Sequence, residues 1–188
     1  MLSAALASFA LIASSHDETS RPILALRLAS AAGIDSGTLQ HARREVSLVF
    51  GAAAVDTTWI DKESTESVVV RPEIEIVLLS EERSREPLAK YGLRYDHLGY
   101  VLRPELRVYV FWWHVREAAF HFSRDAGEVL GLVIAHEVGH LLLPHGDHSS
   151  SGIMQAAFDL SVRWPQRFTR EEAALIHTAL VAHQRDND

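Results

Sequence analysis

Residues 125–154, with the sequence DAGEVLGLVIAHEVGHLLLPHGDHSSSGIM, decide the fold of this chain. Within them, His136, Glu137 and His140 form an H-E-x-x-H motif. Residues four apart lie on one face of an α-helix, so both imidazoles are predicted to face the same cavity. Two neutral imidazoles at this spacing suit a tetrahedral Zn²⁺. Glu137 is then predicted to lie beside the open coordination position and to act as a general base toward water.

The residues around the motif indicate a buried helix. In residues 129–143 nearly every position outside the motif is apolar, and a helix that is apolar on all sides belongs in the interior. Asp125, followed three residues later by Glu128, predicts a capping box at its start, and Pro144 predicts its end. Polar side chains inside such a helix are costly unless they are satisfied. A metal ion would satisfy them.

A catalytic zinc site needs a third protein ligand. The segment after the helix contains three side chains of the right kind: His145, Asp147 and His148. Gly146, which lies among them, can take the positive φ that a reversal of the chain requires. The residues themselves leave the choice among the three side chains open.

The order of H-E-x-x-H, a loop, His148-Ser149 and then S-G-I-M ending at Met154 resembles the metzincin metallopeptidases, in particular small bacterial matrixin-like proteins. Leu143 and Gly146 stand where the usual metzincin spacing has a glycine and the third histidine, so the loop is longer here. The resemblance implies that His148 is the third metal ligand. It also implies that Met154 forms a tight turn, the Met-turn, beneath the metal.

The same resemblance implies an α+β zincin domain, in which a twisted mixed sheet of about four to five strands carries a backing helix, a buried active-site helix and a C-terminal helix. In metzincins an antiparallel edge strand pairs with the substrate peptide through main-chain hydrogen bonds. The residues that would form this edge here are Gly99, Tyr100, Val101 and Leu102. The loop 158–168 would form the wall of the S1′ pocket.

Periodicity and capping signals predict the remaining elements. Apolar runs predict a short helix over residues 23–32 and an amphipathic helix over residues 36–50. Alternation and β-branched or aromatic residues predict strands over residues 55–60, 73–79, 98–102 and 106–113. The charged stretch 80–90 is predicted as a loop or a short exposed helix. Thr169 and Glu172 predict a second capping box, which opens the C-terminal helix.

The length and composition limit the remaining possibilities. We interpret residues 1–15, which are apolar and small, as the remnant of a signal peptide, and residues 16–188 as a single metzincin-like catalytic domain. A secreted or periplasmic location is therefore expected, with a cytoplasmic one as the alternative. The apolar run is too short for stable membrane insertion. The net charge of −7 argues against nucleic acid as a partner. The absence of cysteine excludes disulfides and thiolate ligands.

We therefore expect a monomeric zinc-dependent metalloendopeptidase that acts on polypeptides, with Zn²⁺ as cofactor. One alternative is a zinc-binding domain that binds peptides without cleaving them. Another is a zincin of the thermolysin type, in which an acidic residue completes the metal site; Glu171 and Glu172 are the acidic pair available for this role.

Overall fold

The computed structural model describes residues 21–30, 33–60, 72–94, 96–156, 159–162 and 165–185. Over these residues the chain is α+β, with one five-stranded mixed sheet and five helices. The strands are β1 (Ile23–Ser30), β2 (Asp56–Ile60), β3 (Glu73–Leu79), β4 (Gly99–Leu102) and β5 (Arg107–Phe111). The helices are α1 (Ser36–Ala52), α2 (Glu81–Tyr91), α3 (Trp112–His121), α4 (Ala126–Leu142) and α5 (Arg170–Arg185). A 3₁₀ turn, Arg103–Glu105, joins β4 to β5.

The sheet has the strand order β2-β1-β3-β5-β4. Strand β1 is parallel to both β2 and β3, and β3 is parallel to β5. Strand β4 pairs antiparallel with β5, with Tyr100 opposite Tyr109. The strand that was expected to form an antiparallel edge therefore does so, and it packs against α4.

The main core lies between the sheet and the helices α1 and α4. On β3, Ile74 and Ile76 belong to this core and are fully buried. Val77 and Leu79 belong to a second, smaller cluster, which Leu88 of α2 joins. Successive residues of a strand point to opposite faces, so α2 covers the face of the sheet opposite α1 and α4. The sheet is thus covered on both faces at β3.

Helix α4 is an interior helix, as predicted: residues 129–139 are all buried. Its N-cap is Asp125, whose side chain accepts a hydrogen bond from the Glu128 N–H at 3.0 Å. In a complete capping box the Glu128 carboxylate would accept a hydrogen bond from the Asp125 N–H. Here it forms an ion pair with Arg124 instead. The helix ends two residues before Pro144, because proline cannot donate to the preceding turn.

The capping box that opens α5 is complete. The Thr169 N–H donates to Glu172 Oε2 at 2.8 Å, and the Glu172 N–H donates to Thr169 Oγ1 at 3.2 Å. Both bonds satisfy donors of the first turn, which have no partner within the helix. The prediction of this helix start is confirmed.

The predicted helix over residues 23–32 is wrong, because residues 23–30 form β1 between two neighbouring strands. Leucine and alanine are good helix formers, but Leu24, Ala25 and Leu26 are all fully buried. Burial of consecutive residues is the rule for a strand inside a parallel sheet, which is covered on both faces. Tertiary packing thus overrides the local preference.

The predicted strand over residues 106–113 is too long at its C-terminal end. Strand β5 ends at Phe111, and Trp112 begins α3. No side chain caps this helix at Phe111, so the sequence carries no start signal of the usual kind. The stretch 80–90 forms α2, with Ser80 as its N-cap, which decides between the two possibilities left open for it.

Some predictions fall outside the described residues: the signal-peptide remnant 1–15, and Phe158 and Trp164 in the proposed S1′ wall. Across the described ranges, no helix combines the length and the apolar character needed to cross a membrane.

Candidate metal centre

Helix α4 presents two histidine side chains side by side. The Nε2 atoms of His136 and His140 lie 3.0 Å apart, as expected for residues four apart on one helical face. His148, from the loop after the helix, approaches the pair, and one ring nitrogen from each of the three histidines lies within 4.8 Å of the others. His136 is buried, His140 is half-buried and His148 is exposed. The three rings thus converge on one point at the surface.

Hydrogen bonds orient the two helical rings. The Nδ1 atoms of His136 and His140 lie 2.7 Å from the carbonyl oxygens of Ile153 and Gly146, respectively. A carbonyl oxygen only accepts hydrogen bonds, so each Nδ1 carries its proton and each Nε2 keeps its lone pair. A carbonyl on the second ring nitrogen is the usual way in which proteins orient a metal-binding histidine.

The donor set fits a cation. Two lone pairs that face each other at 3.0 Å repel unless an electrophile lies between them. A shared proton would give one ring a positive charge, but burial lowers the pKa of His136 to about 4 and also lowers the pKa of His140. Neutral imidazole nitrogens are preferred ligands of Zn²⁺. The arrangement therefore favours a metal ion over a proton.

Glu137 is buried between α4 and the edge strand β4. Its side chain lies against Gly99, where a Cβ atom would be 2.9 Å from both Cγ and Oε1 of Glu137. Burial raises the pKa of this carboxyl group to about 8, and a cation bound by the neighbouring histidines would favour its ionised form. A carboxylate whose pKa is raised in this way can accept a proton near neutral pH. Glycine at position 99 leaves the space that the carboxylate occupies.

Met154 lies beneath α4 at the predicted turn. It is fully buried and packs on Gly139, the third residue after His136, where a Cβ atom would lie 2.5 Å from Met154 Sδ. The Ser149 N–H donates to the Met154 carbonyl at 2.9 Å, which closes the turn. The Ile153 carbonyl in this turn is the one that orients His136. The turn therefore supports the histidine pair from below.

The other candidate metal ligands are not part of the histidine cluster in the described residues. Within the part of the chain that the structure describes, the group able to hold a metal consists of the three histidines and includes neither His145 nor Asp147. Glu171 is exposed, and Glu172 is engaged in the cap of α5. The geometry thus favours His148 among the alternatives that the sequence left open.

Sequence reasoning missed two residues that shape this site, Gly139 and Arg103, and it placed Gly99 in the edge strand without its contact with Glu137. Gly99 and Gly139 have no side chains and so make room for Glu137 and Met154, respectively. A single sequence does not reveal that a glycine is needed for packing of this kind. Arg103 donates to the carbonyl of His140. A signal for it exists in Pro144, because proline leaves the carbonyl four residues earlier without its helical donor.

No protein-family model matches this sequence, and no curated protein does. Among solved structures, the chain is similar to the solution structure of TM1509 from Thermotoga maritima, at 16% identity and a TM-score of 0.41. The match covers 86% of this chain and 93% of that one. A similarity at this level supports no statement about activity.

Proposed function

We propose that this protein is a zinc-dependent metalloendopeptidase of the metzincin type. The observation that carries the proposal is the convergence of three histidine nitrogens beside the buried carboxylate of Glu137. A purely structural zinc site is normally closed by four protein ligands, whereas a catalytic site keeps one position open. Three histidines and a neighbouring base fit the catalytic pattern better.

His136, His140 and His148 would hold the metal, each through one ring nitrogen. When bound, Zn²⁺ supplies Lewis-acid chemistry, which lowers the pKa of water and polarises a scissile carbonyl. The hydrogen bonds from Nδ1 to the Ile153 and Gly146 carbonyls keep the two helical rings aimed at one point. Met154 supports this arrangement by packing and does not coordinate.

Glu137 takes the proton from the attacking water and passes it to the leaving amine. The Glu137 side chain lies next to Gly99, the first residue of β4, which is one of the two edge strands of the described sheet. An edge strand has a row of N–H and C=O groups without a strand partner on one side. A substrate peptide that pairs with Gly99–Leu102 would therefore run past the general base.

The test compares wild-type protein with Glu137→Gln on a mixed peptide pool, with the bound zinc measured in parallel. We expect Glu137→Gln to retain zinc and to lose activity by about 10²- to 10⁴-fold, the usual contribution of a general base. Glu117→Gln, which changes an exposed glutamate of α3, is the matched control and should behave as wild type.

Two results would contradict the proposal. Full activity of Glu137→Gln would remove the general-base role. A wild-type protein that binds zinc and cleaves nothing in the pool would instead support the zinc-binding peptide module.

A further inference from the structure

The carbonyl of His140, in the last turn of α4, has no helical hydrogen-bond donor. The His140 carbonyl would ordinarily accept from the N–H four residues further on, but that residue is Pro144, which has no N–H. Arg103 fills this gap: its Nη2 atom donates to the carbonyl of His140 at 2.6 Å and to that of Leu143 at 3.2 Å. Arg103 directly follows β4. A residue from the sheet edge therefore completes the helix end that carries the second histidine.

The same guanidinium supports the loop after the helix. Gly146 has a φ of +62°, and a Cβ atom there would collide with Arg103 Nη2 and lie 2.8 Å from the His140 carbonyl oxygen. The backbone at Gly146 therefore passes directly over the guanidinium. The Gly146 carbonyl in turn accepts the hydrogen bond from His140 Nδ1. Arg103 thus contacts both residues of the interaction that orients the His140 ring.

We propose that Arg103 is a positioning residue of the metal centre, a role that rests on the metal binding in the proposed function. It fixes the His140 carbonyl relative to Gly146, and so it aims His140 Nε2 and supports the loop that leads to His148. Removing a group that orients a metal ligand typically lowers metal affinity about 10- to 100-fold. Arginine suits the role because the two N–H groups of Nη2 lie in the rigid plane of the guanidinium and serve one carbonyl each, whereas the ammonium of lysine is a flexible point charge whose donors have no fixed direction.

A purely structural role makes a different prediction. An arginine near the C-terminus of a helix stabilises that helix through its charge. In that case its removal would lower the unfolding temperature of the metal-free protein and leave the metal affinity of the folded protein unchanged. A positioning role changes the affinity itself.

The test measures Co²⁺ affinity by competition with a chromophoric chelator, the visible absorption of bound Co²⁺, and the unfolding temperature of the metal-free protein. Arg103→Ala should lower the affinity about 10- to 100-fold and change the absorption, and Arg103→Lys should fall between it and wild type. Arg85→Ala is the matched control, because Arg85 is an exposed arginine of α2 that pairs with Glu81. It should match wild type in all three measurements.

A second variant approaches the same contact from the loop. Gly146→Ala should also lower Co²⁺ affinity, and combining it with the milder Arg103→Lys should cost less than the sum of the two, because both act on one contact. Additive losses would overturn the proposal, as would wild-type affinity and absorption in Arg103→Lys and Arg103→Ala; both results leave the proposed function standing. A wild-type protein that binds no Co²⁺ overturns both.

Discussion

The helix α4 and the loop that follows it hold the side chains of the candidate metal centre by different means. On α4, the backbone spacing and burial fix His136 and Glu137, whose exposed fractions are 6% and 7%. In the loop, His148 is exposed, and its position depends on backbone contacts such as the bond from Ser149 to Met154. The candidate ligands on the helix can therefore be located from local sequence, whereas the position of the candidate ligand in the loop depends on contacts between separate parts of the chain.

The largest expected effect separates the two regions by single substitutions. His136→Ala and His148→Ala should each lower zinc affinity by more than about 100-fold, beyond the loss typical of an orienting residue. Only His136→Ala should also destabilise the metal-free protein, by about 1–3 kcal/mol, because it leaves the buried Ile153 carbonyl without its bond. Chelator competition and thermal unfolding of the metal-free variants measure the two quantities.

The matched controls are the rival ligands. His145→Ala, and Glu171→Ala combined with Glu172→Ala, should keep wild-type zinc affinity, although the pair weakens the cap of α5. Unchanged zinc affinity in His148→Ala, or a loss in one of the controls, would contradict the assignment of the loop ligand.

The next effect tests how the helix rests on the Met-turn. Gly139→Ala would place a Cβ atom 2.5 Å from Met154 Sδ and 3.0 Å from Phe168 Cε1. A glycine-to-alanine change usually stabilises a helix interior, but overpacking here should cost about 1–3 kcal/mol. Urea unfolding of the metal-free protein measures this cost. Adding Met154→Ala removes two of the closest contacts, so the double variant should lose less stability than the sum of the two single losses. If Gly139→Ala were instead more stable than wild type, the turn around Met154 would have to move without cost.

The smallest expected effect is a pH dependence of the stability of the metal-free protein, which arises from two residues of α4. Burial raises the pKa of Glu137 from 4.5 to about 8, so the unfolded chain loses this proton first, and stability falls as the pH rises between these values. Burial lowers the pKa of His136 from 6.5 to about 4, so the unfolded chain gains that proton first, and stability falls as the pH drops through this range.

Of these two groups, only Glu137 acts between pH 6.5 and 8. The metal-free protein should therefore lose up to about 1.4 kcal/mol per pH unit in this window. Glu137→Gln should flatten the slope. Urea unfolding at several pH values measures it, and equal slopes for wild type and Glu137→Gln would exclude Glu137 as the source.

The parts of the fold that the sequence predicted are those with local signals. The apolar run of α4 and the reciprocal cap formed by Thr169 and Glu172 each depend on residues that lie close together in the sequence, within one helix or its first turn. Strand β1 was mistaken for a helix because its leucines and alanines favour helix locally, and only the neighbouring strands determine its conformation.

The same division holds within the candidate site. Three of its groups, His136, Glu137 and His140, follow from one motif on one helix. The contacts of Gly99 with Glu137 and of Arg103 with His140 join residues that are 37 or more positions apart in the sequence. Sequence periodicity does not predict contacts between residues this far apart in the chain, because these contacts depend on how β4 packs against α4.

The missing side chain at Gly99 has a consequence for how this protein can diversify. Every larger residue at this position would displace the carboxyl group of Glu137 or the carbonyl of Tyr109, which a Cβ atom would approach to 2.8 Å. If the edge strand receives the substrate, as the proposed function requires, the contribution of this strand to selectivity can vary only at the three residues that follow. One position of the strand is thereby reserved for the reaction, and the others remain open to adaptation.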